Sequence, residues 1–93
     1  MLPDDTLVRR LDGLIEAEVD DEIVALHVDR GLCYGFNVTA TSVWNALREP
    51  RKVAELRDAL LAEYDVDPQT CRQELAGIIE TMAAQGLVTT TAP

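Results

Sequence analysis

The residue pattern changes its period once, at Asn37, and that single change constrains the fold more than any other feature of the chain. Before it, apolar residues recur at every second position, as in a strand with two unlike faces. After it they recur at every third or fourth, as on one side of a helix. In Gly13 to Val19, Ile15, Ala17 and Val19 alternate with Glu16 and Glu18. This predicts a half-exposed strand with its carboxylates in solvent. Asp20-Asp21 makes a turn. Glu22 to Asp29 follows, with Val24, Leu26 and Val28 on one face and Ile23, Ala25 and His27 on the other. Asp29-Arg30-Gly31 is the second turn, where Gly31 takes a positive φ without strain. Leu32 to Phe36 is a short third strand, completing an antiparallel meander.

Asn37 is a good cap for a helix reaching about Arg48, with Ala40, Val43, Trp44 and Leu47 on one face. Pro50 ends it. A second helix from about Lys52 to Tyr64 carries Val53, Leu56, Leu60 and Tyr64. Pro50, Arg51 and Lys52 give it no side-chain acceptor, so its start is poorly capped. Asp67-Pro68 opens a third helix, an acceptor followed by Pro at the first helical position. Cys71, Leu75, Ile78, Ile79 and Met82 form its apolar stripe. Gly86 ends it, and Leu87 is placed to fold back on Met82. Strands followed by helices, with no second run of either, predict one α+β domain over residues 1–93, with an arm at 1–12 and a frayed tail at 89–93.

A chain of 93 residues buries a thin core. With aromatics at only 4%, Tyr34, Phe36, Trp44 and Tyr64 must each count in packing. No apolar run is long enough to span a bilayer, and Met1 to Arg10 lacks the apolar stretch of a signal peptide. The expectation is a cytoplasmic protein. The formal net charge of −9 opposes nucleic-acid binding, which needs a surplus of Lys and Arg on some face. Cys33 and Cys71 have neither CxxC nor metal-ligand spacing and are expected to be free thiols. His27 has no evident acid or nucleophile beside it.

No catalytic constellation is visible. Glu16, Glu18, Asp20, Asp21 and Glu22 lie along a hairpin and read as a solvated face, so Glu16 is expected to be silent to substitution. Acid–base work would need at least one of them desolvated. The five glycines form no phosphate loop, and no nucleophile sits in a recognisable elbow. The expectation is no catalysis, no cofactor and no metal.

Gly31-Leu32-Cys33-Tyr34-Gly35-Phe36-Asn37 followed by Val43-Trp44-Asn45-Ala46-Leu47 resembles the PqqD family of peptide-recognition domains. Glu63-Tyr64-Asp65-Val66-Asp67 and Gly86-Leu87-Val88 extend the likeness, which covers about residues 13–88. Tyr34-Gly35-Phe36-Asn37 and Trp44 are closest to the lasso-peptide members. Asp21, where the family often has Gly, and Pro50-Arg51-Lys52 depart from the pattern, and both bear on stability. The resemblance implies a winged-helix-like domain: a three-stranded antiparallel sheet followed by three helices. It also implies a precursor leader peptide added as a strand beside the third strand and presented to a leader peptidase, cyclase or other modifying enzyme. The residues it singles out are Leu32, Cys33, Tyr34 and Gly35 on the strand and Arg72, Leu75, Ala76 and Ile79 on the third helix. Leu75 and Ile79 also fit an ordinary core stripe, and Phe36, Trp44 and Met82 read as core. A short edge strand leaves N–H and C=O groups free for pairing, and Gly35 permits close approach of a second backbone. Two other readings are a winged-helix DNA-binding domain and a regulatory protein-interaction domain. Against the first stands the third helix, whose single base, Arg72, is set against Glu74 and Glu80.

Overall fold

A computed structural model describes residues 2–20 and 22–92. The fold is α+β, with two small antiparallel sheets and three helices. The expected meander is present as β2 (Leu14–Val19), β3 (Glu22–His27) and β4 (Leu32–Gly35), paired in the order β2-β3-β4. Asp20, at the first turn, has a positive φ of 52°; the Asp21 half of that turn lies outside the described residues.

Beyond the expected strands there is a second sheet, and it corrects the reading of both termini. β1 (Leu7–Arg10) lies between β5 (Arg51–Lys52) and β6 (Val88–Thr91). Leu7 stands opposite Thr91 and Arg10 opposite Val88, so neither end is a loose arm or a frayed tail there. Val8 is fully buried, and Val88 and Leu87 are buried beside it. The Val-Thr-Thr-Thr run of β6 has the β-branched composition that strands prefer.

The helices are α1 (Val38–Ala46), α2 (Val53–Glu63) and α3 (Pro68–Ala84). Asn37 Oδ1 accepts from Ala40 N at 2.8 Å, and Asp67 Oδ1 from Gln69 N at 3.0 Å, the two caps expected. α3 ends in a full Schellman motif. Gly86 has φ 74°, Leu87 N donates to Met82 O at 2.9 Å, and Gly86 N donates to Ala83 O at 3.1 Å. The start of α2 is better satisfied than its sequence suggests. Glu55 reaches back to accept from Lys52 N at 2.9 Å, and the N–H groups of Val53 and Ala54 donate to Thr6 O and Asp4 O. The N-terminal segment therefore caps α2, and Asp4 adds an ion pair to Arg57 at 2.8 Å.

Trp44 is the centre of the core, 5.3 Å between ring centroids from Phe36 and packed among Leu47, Leu56, Leu75 and Ile79. Its indole N–H must find an acceptor in that interior, and it donates to Glu16 Oε2 at 3.1 Å. Arg10 lies over the indole face at 4.0 Å and bonds both Trp44 O and Glu16. Burial pulls the Arg10 guanidinium below its ordinary pKa, and the Glu16 carboxylate opposes that shift. The acidic alternation of β2 thus points the other way from the sequence expectation. Glu16, with its side chain still 34% exposed, lies on the core-side face opposite buried Ala25, while Ile15 and Val19 on the other face are 57% and 55% exposed. Glu16→Ala should leave the indole N–H unpaired and cost about 2 kcal/mol. In a domain of this size that lowers the melting temperature by roughly 10 °C. Glu18→Ala, which breaks no bond, should melt like wild type in the same thermal scan.

Candidate functional site

β4 is an edge strand with β3 on one side only. Which of its backbone groups are free follows from the ladder. Phe36 N donates to Ile23 O at 2.9 Å, making Phe36 and Ile23 a hydrogen-bonded pair. Such pairs recur at every second residue of an antiparallel ladder. Tyr34, opposite Ala25, and Leu32, opposite His27, are therefore the bonded positions. Cys33 and Gly35 turn their N–H and C=O groups to the open edge.

Beyond the end of β4 lies a cleft of about 560 Å³ between the Gly35–Ala40 segment and α3. Gly35, Asn37, Thr39 and Ala40 line one side; Glu74, Gly77, Ile78, Thr81 and Gln85 line the other; Phe36 and Met82 form part of its floor. Gly77 faces open space, with nothing within 4 Å of where a Cβ would stand. The cleft thus has a backbone edge, an apolar floor and a polar rim.

The eight residues singled out from sequence divide unevenly over this geometry. Gly35 lines the cleft, and Leu32 and Cys33 are exposed on the adjoining edge strand. Tyr34 is half-buried and packs against the core. Leu75 and Ile79 are 1% and 0% exposed, so they are core residues and not a groove wall. Arg72 turns toward Asp4 at 3.9 Å. Ala76 is also absent from the cleft lining. At about 100° per residue, Arg72 and Ala76 fall on the opposite side of α3 from Glu74, Ile78 and Thr81. The cleft wall is the 74-77-78-81-85 stripe, and its one large apolar member, Ile78, belongs by sequence to the apolar stripe of the third helix. The core reading of Phe36, Trp44 and Met82 agrees with their burial, at 5%, 1% and 2% exposed.

Two further features lie outside this cleft. The face of the β2-β3-β4 sheet turned away from the helices carries Ile15 opposite Leu26 and Cys33 beyond it, Ala17 opposite Val24, and Val19 opposite Glu22. Leu26 is 36% exposed there, and among the described residues no element covers that face. A separate depression of about 400 Å³ lies near the β1–β2 connection, lined by Arg9, Arg48 and Asp12 around the Arg10–Glu16 pair. Cys33 and Cys71 are both free thiols, one exposed and one buried. Burial pushes the Cys71 thiol above its usual pKa, which keeps it protonated and unreactive. Among the described residues no group of His, Cys, Asp and Glu is placed to hold a metal ion, and no helix is long and apolar enough to cross a membrane.

Residues 22–88 match the family described as coenzyme PQQ synthesis protein D (PqqD). The chain belongs to the PqqD family. The PqqD match runs from Glu22 to Val88 and so contains β4, the cleft and both of its walls. Two solved structures share the PqqD-like fold along nearly the whole chain. The structure titled TbiB1 in complex with the TbiA(beta) leader peptide is 30% identical, with TM-score 0.83, covering 91% of this chain and 99% of that one. A lasso peptide synthetase B1 complexed with its leader peptide is 21% identical, with TM-score 0.78, covering 88% of this chain and 96% of that one. No curated protein matches this PqqD-family sequence.

Proposed function

We propose that the domain binds the leader segment of a ribosomally made precursor peptide as a strand added to β4, and presents it to modifying enzymes without catalysing a step itself. Lasso-type peptide biosynthesis is the favoured setting, and the cytoplasm the favoured place. The observation that carries this reading is the open edge at Cys33 and Gly35 beside a cleft with an apolar floor. Main-chain pairing supplies affinity for an extended peptide, and the cleft takes its alternate side chains. The 30% identity to TbiB1, titled as a complex with a leader peptide, supports the same occupant. The DNA-binding reading is disfavoured by the cleft face of α3, which carries Glu74 and no base.

The uncovered face of the β2-β3-β4 sheet fits a second role for the same sheet. A leader strand added to β4 would extend that face, so an enzyme seated on it would touch domain and leader together. Titration of the synthetic leader from the neighbouring precursor gene, followed by calorimetry, tests the main reading. Binding at about micromolar Kd or tighter is expected. Absence of heat at about a hundred times that concentration would overturn it. Leu26→Glu should bind the leader like wild type but fail to support leader cleavage by the cognate peptidase; normal cleavage would remove the docking role from this face.

A further inference from the structure

Next to the main cleft is a smaller depression of about 80 Å³, lined by Leu60, Tyr64, Val66 and Cys71 and sharing Thr39 and Glu74 with the cleft. We infer that it is a subsite for a Lys or Arg side chain of the bound peptide, with Glu74 as the counter-charge. The inference rests on the peptide-binding reading above and adds a chemical requirement to it.

Three observations converge. Glu74 is the one charged residue lining the main cleft and the one carboxylate at the smaller depression. Among the described residues it enters no ion pair, because the nearby arginines of α2 and α3, Arg57 and Arg72, are both directed at Asp4. The inner surface is apolar, with Leu60 and Cys71 buried and Val66 38% exposed. The Tyr64 hydroxyl is already engaged with Ser42 at 2.7 Å. An apolar lining with a lone carboxylate at its mouth matches the make-up of a long cationic side chain, a methylene stem carrying a charged head. A purely apolar side chain would shield Glu74 from water and give it nothing in return. An acidic one would be repelled, both by Glu74 and by the net charge of −9 that steers cations toward the domain.

The test is selection from a displayed library of fully randomised 20-residue peptides, run in parallel on wild type and Glu74→Lys. Both proteins should enrich a shared pattern. At one position wild type should select Lys or Arg, and Glu74→Lys should select Asp or Glu. For a peptide selected by wild type, Glu74→Gln should weaken binding about fivefold and flatten its salt dependence. Identical enrichment at every position would overturn the subsite while leaving peptide binding intact. Enrichment of no peptide by either protein would overturn both. Glu74 is exposed on α3, and circular dichroism will verify that each variant folds.

Discussion

Cys33→Pro should yield a folded domain that has lost most of its affinity for the leader, about 2 kcal/mol or roughly thirtyfold. The ladder decides this. Phe36 N–H donates to Ile23, so Tyr34 and Leu32 are tied to β3, and the Cys33 N–H faces away from it. Proline has no N–H to offer an incoming strand, and an outward edge position is where a sheet tolerates it. Tyr34→Pro is the matched control with the opposite result. It removes a donor used by Ala25 inside the sheet and should fail to fold, though it lies only one residue away. Calorimetry with the leader peptide, with circular dichroism on both variants, separates the outcomes. A folded Cys33→Pro that binds like wild type would place recognition on side chains alone and remove strand addition from the account.

The same ladder shows what the sequence could and could not convey. Alternation in β2 and β3 is plain, and it correctly gave two strands with two faces each. It could not say which face turns inward, because Ile15, Ala17 and Val19 look like core residues and Glu16 and Glu18 look like surface. The deciding fact is non-local. Trp44 is buried on α1 and its indole N–H needs an acceptor, which Glu16 supplies from β2. Local signals suffice where the physics is local: the Asn37 and Asp67 caps, the Gly86 ending and the helical face of Val43, Trp44 and Leu47. The second sheet is illegible in the sequence for the complementary reason. β1 and β6 have only four residues each and come from opposite ends of the chain, so neither has a pattern long enough to show its partner.

On α3 the apolar stripe was legible as a stripe, but helical periodicity shows that a face is covered and not by what. Ile79 and Ile78 are adjacent in sequence and point 100° apart. The first packs against the core at 0% exposure, while the second is half-buried and lines the cleft. Their substitutions by Glu should therefore fail in different ways. Ile79→Glu forfeits about 2–3 kcal/mol of apolar burial. It must also hold a carboxyl whose pKa burial raises by up to about 3–5 units, and keeping that group protonated against an unfolded value of about 4.3 costs roughly 3–4 kcal/mol at pH 7. Together these come to about 5–7 kcal/mol, as much as the whole stability of a domain this size in the lower half of its usual range of about 5–14 kcal/mol. Ile79→Glu should be largely unfolded at pH 7. The folded-state carboxyl has the raised pKa, so the charge penalty applies above the unfolded value of about 4.3 and fades as the pH falls toward it. The variant should regain structure between about pH 7 and pH 5, in the direction opposite to ordinary acid unfolding. Ile78→Glu keeps its carboxylate in reach of water, so it should fold at pH 7 and lose leader affinity instead. Far-ultraviolet circular dichroism across that pH range, with leader titration of Ile78→Glu, checks both halves. A stable, leader-binding Ile79→Glu at pH 7 would mean that α3 presents its other face to the cleft.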